Sequence, residues 1–132
     1  MKNKALIISF KDLEKSDLVL CHGDFGSNNI LITDDDIFMI DWETLHLSDS
    51  VRDIAHLIYW CYPETYWQKI LGLFGYDIQN QKFKPKFFWH VLSRALYVYL
   101  LFVNSNQEEL AIDFYYDALN ASNYKPASRL LV

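Results

Sequence analysis

A short stretch between residues 22 and 43 holds the side chains best suited to chemistry. It begins His-Gly-Asp-Phe-Gly-Ser-Asn-Asn-Ile-Leu and ends Ile-Asp-Trp-Glu. Asp24, Asn29 and Asp41 within it supply two carboxylates and an amide. In phosphoryl transfer from a nucleotide, one carboxylate orients and deprotonates the attacking hydroxyl, while an amide and a second carboxylate hold Mg²⁺ against the phosphates. The stretch therefore predicts a phosphoryl-transfer site.

The apolar runs around these residues predict strands that bring them together. Short runs that read as strands cover residues 18–21, 29–33 and 37–41. The acidic turn Asp34–Asp36 joins the last two into a hairpin, and we expect it to be solvated rather than a cation site. The hairpin returns Asp41 to the loop that holds Asp24, and Asn29 faces the same loop. Alone, Asp24 would suit a turn aspartate capping its own backbone, but three converging oxygen donors fit Mg²⁺ better.

The rest of the chain has helical periodicity. Helices are predicted over residues 48–62, 64–74, 85–103 and 107–120, with a short helix or turn over residues 9–16. Asp49 is the expected N-cap of the first long helix. In the last helix Leu110, Phe114 and Ala118 are expected to face inward. A few strands followed by four helices predict an α+β fold that is mainly helical.

Composition narrows the classes of function. The net charge is −5 and no basic stripe is present, which argues against nucleic-acid binding and favours a cationic small molecule. Apolar residues make up 52% of the chain and aromatic residues 17%. A small domain has much surface for its volume, so we expect some apolar side chains to face a partner or a missing domain.

The location of the protein is also an expectation from sequence. The two cysteines, Cys21 and Cys61, lie in apolar runs and are expected to be buried thiols in a reducing compartment. The longest apolar run, Ala95 to Val103, is shorter than the roughly 20 residues of a membrane span. The run from Ala5 to Ile8 is too short for a signal-peptide core. We therefore expect a soluble cytoplasmic protein with no membrane partner.

The motif His22-Gly23-Asp24 with Asn29, followed by Ile40-Asp41-Trp42-Glu43, resembles the catalytic core of the aminoglycoside phosphotransferase and choline kinase-like family. It is most similar to hygromycin B phosphotransferases within that family, and the resemblance extends over residues 18–60. It implies one domain built as the C-terminal lobe of a kinase-like fold. The catalytic loop and metal-binding strand would span residues 18–43, the helical subdomain 48–120 and a tail 121–132.

The resemblance also implies roles for individual residues. Asp24 would be the catalytic base, and Asn29 and Asp41 would ligate Mg²⁺ that bridges the phosphates of ATP or GTP. Two residues would support the catalytic loop, His22 by shaping it and Asp53 by bracing it from the first helix. The chain departs from the family pattern in having Ser48 and Ser50 beside Asp49, and Arg52 in place of an aromatic residue.

Candidate residues for an acceptor molecule are fewer and less specific. Glu43, Asp113 and Asp117 could form part of an acidic pocket, and Trp42 could stack on a sugar ring. The acids Glu109, Asp113 and Asp117 are four residues apart and share one helix face, which is also typical of a solvated face. Packing in the core or between lobes is at least as good an interpretation for Trp42 and for Trp60. His46, His56 and His90 lack metal-ligand spacing and are expected to be structural.

The residues before the motif contain no glycine-bearing phosphate loop and no lysine in a strand context. The N-terminal nucleotide-binding lobe of such kinases is therefore expected to be absent. One hypothesis is a phosphotransferase lobe that acts with a separate N-terminal lobe or as a homo-oligomer. The alternative is a non-catalytic module, derived from a kinase lobe, that binds a small molecule or another protein. A functionless remnant is disfavoured because the acids of the motif are intact.

Overall fold

The computed structural model describes residues 18–131, so the element expected over residues 9–16 lies outside the described part. The strands are β1 (Leu18–Cys21), β2 (Ile30–Ile32), β3 (Ile37–Met39) and β4 (His46–Asp49), and the helices are α1 (Val51–Cys61), α2 (Glu64–Leu73), α3 (Phe83–Asn104) and α4 (Glu108–Ser122). Short 3-10 turns lie at Ser27–Asn29 and Trp42–Thr44. The fold is α+β and mainly helical, as the sequence predicts.

Strands β2 and β3 form the predicted hairpin. They pair antiparallel, with Ile30 opposite Met39 and Ile32 opposite Ile37. In the acidic turn the Thr33 amide donates to the Asp36 carbonyl at 2.9 Å, and the Asp36 amide donates to Thr33 Oγ1 at 3.0 Å. The three turn acids are exposed. The turn is thus held by its own backbone and hydroxyl, and β3 ends two residues before the predicted boundary.

Strand β4 shows that the first long helix begins later than predicted. Residues 48 and 49 were expected to open the first helix, but they end a strand that pairs antiparallel with β1, placing Cys21 opposite His46 and Leu18 opposite Asp49. The pairing joins segments that are distant in sequence, so no local pattern announces it. Helix α1 begins at Val51, whose amide donates to Asp49 Oδ1 at 2.8 Å. The Asp49 carboxylate therefore satisfies a free amide of the first turn.

Aromatic rings fill the core between α1, α2 and α3. Trp67 of α2 packs against Phe87 of α3 with ring centroids 5.4 Å apart, and Phe87 meets Phe88 edge-on at 5.2 Å. Tyr59 of α1 is fully buried and packs against Trp67 at 5.6 Å. Such tilted and edge-on contacts are the arrangements that aromatic pairs prefer. This core fixes α1, and α1 in turn supports the loop that follows β1.

Helix α4 packs along α3 mainly through small residues. Ala118 is buried as predicted, together with Ala111 and Ala121, but Leu110 was expected to point inward and is 47% exposed. The buried side of the first turn thus passes through Ala111 instead of Leu110, because alanines allow the two helices to approach closely. Phe114 lies partly buried against the core, in agreement with the prediction.

Many large apolar side chains of residues 18–131 are exposed to solvent. They include Ile32 and Ile37 on the hairpin, and Leu100 and Ile112 on α3 and α4. Among residues 18–131, α3 is also the one helix long and apolar enough to cross a membrane, a test that the core helices of soluble proteins pass as well. Cys61 is only partly buried, so the expectation of a second buried thiol holds for Cys21 alone.

Candidate active site

The loop after β1 has a backbone that only glycine fits at its second position. Gly23 has φ +88°, and a Cβ atom there would lie 2.4 Å from the carbonyl oxygen of Thr44. Glycine adopts this conformation without steric cost and leaves room for the close approach. The Thr44 hydroxyl also donates to the His22 carbonyl at 2.8 Å. Residues 22–23 are therefore packed directly onto the turn that follows β3.

His22 links this loop to the end of the hairpin. Its buried ring contacts the Ile40 carbonyl through Nε2 at 2.8 Å, and its Nδ1 accepts the Asp24 amide at 3.4 Å. Both contacts are satisfied together when the proton is on Nε2. The ring also packs against Trp42 with centroids 4.6 Å apart. The His22 side chain thus sets the backbone position of Asp24 relative to β3.

Asp53 supports the same loop from the first turn of α1. One carboxylate oxygen accepts the His22 amide at 2.6 Å and the other accepts the Gly23 amide at 3.0 Å. Amide hydrogen bonds to a charged acceptor are stronger than those to a neutral acceptor. Because α1 is anchored in the aromatic core, these two bonds transmit the rigidity of the core to the loop.

Asp24 and Asn29 lie in contact. The Asn29 side chain is buried, and its Nδ2 donates to the Asp24 carbonyl at 2.8 Å and to Asp24 Oδ2 at 3.3 Å. Within residues 18–131 the amide oxygen of Asn29 accepts no hydrogen bond. The Asp24 side chain is 42% exposed, so a molecule in solution can reach it. The pair therefore presents a reachable carboxylate beside an amide oxygen that is free to ligate a cation.

Asp41 follows the backbone contact that joins the hairpin to the loop. The Ile40 amide donates to the Asn29 carbonyl at 3.0 Å, and Asp41 itself adopts a left-handed conformation with φ 63° and ψ 62°. Aspartate is one of the few residues that tolerate this conformation. The residue is exposed, and within residues 18–131 its carboxylate accepts no hydrogen bond. Asp41 is thus next along the chain to a residue bonded to both Asn29 and His22.

These residues fit the ligand preferences of Mg²⁺. Asn29 offers an amide oxygen and Asp41 an unbonded carboxylate, and such hard oxygen ligands are what Mg²⁺ selects. In the described part of the chain, no group of three His, Cys, Asp or Glu side chains is arranged to hold a metal ion. Mg²⁺ at phosphotransfer sites does not need such a cage, because one or two protein ligands are completed by phosphates and water.

Arg94 is the site residue that the sequence analysis missed. It lies in α3, seventy positions from Asp24 along the chain, and its Nη2 donates to Asp24 Oδ1 as a salt bridge. The sequence offered one weak signal, a single charged residue next to a long apolar run. Only the packing of α3 beside the loop makes the contact, so no local pattern could have revealed it.

A second charged cluster supports the N-terminus of α1. Asp49 is buried and forms an ion pair with Lys86, whose Nζ lies 2.6 Å from Oδ2. The ring of His90 lies nearby, with Nε2 3.9 Å from Asp49 Oδ1. Burial lowers the pKa of His90 to about 4, an effect that the charge of Asp49 partly opposes. Burial, with help from the charge of Arg94, lowers the pKa of His56 to about 3. Both rings are held neutral inside the protein at pH 7.

The structure separates the candidate acceptor residues into two groups. Trp42 and Glu43 are exposed directly after Asp41, with Trp42 Nε1 donating to the Met39 carbonyl at 2.8 Å. Asp113 of α4 instead forms an ion pair with Arg129, whose Nε lies 3.2 Å from Asp113 Oδ2. Trp42 and Glu43 therefore remain beside the catalytic loop, where an acceptor molecule could meet them.

The prediction for Asp117 is wrong in its placement. The residue is fully buried, and its Oδ2 accepts the Trp60 indole N–H at 2.8 Å. Burial raises the pKa of this carboxyl, and the Trp60 hydrogen bond only partly opposes the rise. A side chain without solvent access cannot meet a diffusible acceptor, so Asp117 and Trp60 belong to the core. The spacing of four residues predicted that Asp117 shares an exposed helix face with Asp113. In the structure Asp117 lies on the side of α4 that faces the core.

Comparison with known proteins places the chain in a family. A family model described as the phosphotransferase enzyme family matches residues 5–77, more than half of the chain. A LicA protein of Haemophilus influenzae is 41% identical over 59 residues, which cover 43% of this chain and 17% of that protein. The LicA protein of the Rd strain is 38% identical over 58 residues, covering 43% of this chain and 22% of that protein.

The chain thus matches less than a quarter of the length of either relative. No solved structure gives a significant match. The matched residues 5–77 include Asp24, Asn29, Asp41 and Asp53. Because the family model covers the larger part of the sequence, this chain belongs to the phosphotransferase enzyme family.

Proposed function

We propose that this chain forms the C-terminal catalytic lobe of an enzyme that moves the γ-phosphoryl group of ATP or GTP to a hydroxyl group of a small cationic molecule. The observation that supports it most is the contact between Asp24 and Asn29, with Asp41 next to the hairpin residue bonded to Asn29. Membership of the phosphotransferase family supplies the class of reaction. The nucleotide, the metal and the acceptor are parts of the proposal.

In this reaction the acceptor oxygen attacks the γ-phosphorus. A new P–O bond forms while the bond from the γ-phosphorus to the β–γ bridging oxygen breaks, and the nucleoside diphosphate leaves. The hydroxyl proton passes to the Asp24 carboxylate, which is the role of a general base. The Asn29 amide holds Asp24 through the side-chain contact at 3.3 Å, so the base stays aligned during the transfer.

Asn29 Oδ1 and the Asp41 carboxylate would hold Mg²⁺, which neutralises the charge of the phosphates as they react. His22 and Asp53 keep the loop that carries the base in a fixed position through their bonds to Ile40 and to the loop amides. Because such catalysis depends mainly on positioning and charge, small movements of this loop would lower the rate strongly.

For the acceptor we propose an aminoglycoside-like molecule, with the hygromycin B type as the first candidate. The net charge of −5 favours a cationic compound, and exposed Glu43 and Trp42 lie directly after Asp41. A carboxylate and an aromatic face together suit an aminocyclitol that carries both amines and an apolar ring face. We propose that the protein acts in the cytoplasm.

The partner that we propose is a nucleotide-binding lobe on a separate chain or segment, with a homo-oligomer as the alternative. One observation supports a partner: the hairpin beside the site exposes Ile32 and Ile37 at 76% and 71%. The same exposed surface favours the second candidate function, a non-catalytic interaction or small-molecule-binding module.

The decisive experiment replaces the proposed base in a protein assembled from this chain and a nucleotide-binding lobe. Asp24→Asn should lower kcat for phosphorylation of hygromycin B by about 10² to 10⁴-fold, the usual contribution of a general base. Asp36→Asn in the exposed hairpin turn is the matched control and should keep full activity. Turnover that survives Asp24→Asn would exclude Asp24 as the base. A wild-type assembly that binds hygromycin B in a thermal-shift assay without turnover would favour the binding module.

A further inference from the structure

Arg94, like Lys86, is a charged residue of α3 that pairs with an aspartate outside the helix. It follows the buried Val91 by three positions and precedes the buried Ala95, so it stands at the edge of the inward face of the helix. Its side chain is only 21% exposed, and its Nη2 donates to Asp24 Oδ1. The guanidinium also lies over the Tyr97 ring, 5.7 Å from the centroid. Helix packing therefore holds a cation directly on the proposed base.

Both carboxylate oxygens of Asp24 are engaged by protein donors. Oδ1 accepts from Arg94, and Oδ2 lies 3.3 Å from the Asn29 amide nitrogen. The guanidinium bond is the stronger of the two, because both of its partners carry a charge. A molecule that binds at Oδ1 must therefore displace Arg94.

The positive charge of Arg94 also bears on which molecules can approach. A cationic group that reaches Asp24 meets a guanidinium at the same carboxylate, and like charges at one site disfavour each other. A cation can take over the role of Arg94 as counter-charge, because it offers the same charge-assisted hydrogen bond. A neutral alcohol cannot, since its hydroxyl donates only an uncharged bond. The released guanidinium would keep its contact with the Tyr97 ring.

We propose that Arg94 is a specificity-determining residue whose guanidinium occupies the position on Asp24 that a cationic group of the acceptor takes. A cationic acceptor displaces Arg94 and takes its place as the counter-charge of Asp24, and a neutral acceptor leaves the Asp24–Arg94 pair closed. This inference rests on the proposed function, because it assumes that the acceptor binds at Asp24. Arg94 lies outside residues 5–77 that match the family model.

The test uses the full chain with ¹³C-labelled aspartate carboxylates and follows the Asp24 resonance by NMR. The probe is ethylammonium chloride, titrated at constant ionic strength against sodium chloride so that general screening is equal. Arg94→Gln should reach half-saturation at a probe concentration lower than the wild type by about tenfold, since an internal competitor has been removed. Ethanol as a neutral probe should shift the resonance in neither protein.

The matched control is Arg129→Gln, which removes another helix-side arginine–aspartate pair, that of Arg129 with Asp113. It should titrate as the wild type does. Equal half-saturation in the wild type and in Arg94→Gln would overturn the proposal, because Arg94 would then not compete with the probe. An Asp24 resonance that ethylammonium shifts in neither protein would overturn it too, since no cation position would exist at Asp24.

If circular dichroism shows that Arg94→Gln does not fold, Arg94→Lys gives the same comparison. Lysine keeps the charge but lacks the planar fork of the guanidinium, so it should compete less well and lower the half-saturation concentration by a smaller factor. An unchanged value would again reject the proposal. None of these measurements needs nucleotide or turnover. The inference can therefore fail while Asp24→Asn still abolishes transfer, and it can hold where no transfer is found.

Discussion

The strand and loop region, residues 18–49, and the helical region, residues 51–122, are held together by different forces. In the loop region side chains bond to backbone atoms one by one, as His22 does to Ile40 and Thr44 to His22. In the helical region aromatic rings pack in contact, and most buried residues are apolar. The conformation of the loop thus depends on individual hydrogen bonds, whereas the arrangement of the helices depends on the volume and burial of apolar side chains.

This difference explains why the two regions carry different amounts of information in their sequences. A side chain that bonds to a particular backbone atom must carry a suitable polar group at that position. The loop therefore appears in the sequence as a recognisable motif. A packed face accepts many apolar residues of similar volume. The matched residues 5–77 accordingly contain the whole loop and only the first two helices. Arg94 and Asp53 are the residues through which the helical region acts on the loop.

The largest effect should come from the core of the helical region. Leu71→Ala should lower the free energy of unfolding by about 3 to 4 kcal/mol, because the fully buried side chain leaves a cavity against the aromatic rings. Leu73→Ala, two residues along the same helix and 80% exposed, should change it by less than about 0.5 kcal/mol. Chemical denaturation measures both variants. Equal losses at the two positions would contradict the observed burial of α2.

A somewhat smaller effect is expected where the helical region meets the loop. Asp53→Ala should cost about 2 to 3 kcal/mol, because it leaves the amides of His22 and Gly23 without their charged acceptor. Hydrogen exchange should show these two amides losing protection while the amides of α3 keep theirs. Asp77→Ala is the control, since Asp77 accepts one exposed amide, that of Gln79. Unchanged loop protection in Asp53→Ala would show that the brace is unnecessary.

The smallest effect is a pH dependence that originates in the helical region. Burial lowers the pKa of His56 to about 3, so the folded protein holds this ring neutral while the unfolded chain takes up a proton near pH 6.5. The His56 contribution to stability is therefore complete above pH 6.5 and is lost as the pH falls toward 3.

Between pH 7 and pH 4.5 this term should remove about 2 kcal/mol from the free energy of unfolding. His56→Gln keeps a donor for the His90 carbonyl, which the ring reaches through Nε2 at 3.1 Å, but it does not titrate. Denaturation at the two pH values should therefore show a shallower loss in His56→Gln than in the wild type. The same loss in both proteins would place the acid sensitivity elsewhere.

Much of the fold followed from local patterns. The acidic turn between two apolar runs predicted the β2–β3 hairpin, and apolar periodicity predicted four helices whose ends agree within a few residues. The errors arose where a partner lies far along the chain. Strand β4 was missed because it pairs with β1, and Leu110 was misplaced because the packing of alanines against α3 sets the rotation of α4.

For the site, the sequence predicted Asp24, Asn29 and Asp41 as a group, since their types and spacing match one chemistry, whereas the positive φ of Gly23 emerged only from the structure. The tertiary structure decided which charges meet: it placed Arg94 on Asp24 and buried Asp117 beneath Trp60. The physical reason is the separation along the chain between the residues that interact. Local patterns encode turns, strands and helix faces within a few residues, whereas an ion pair or a buried acid depends on how whole helices pack.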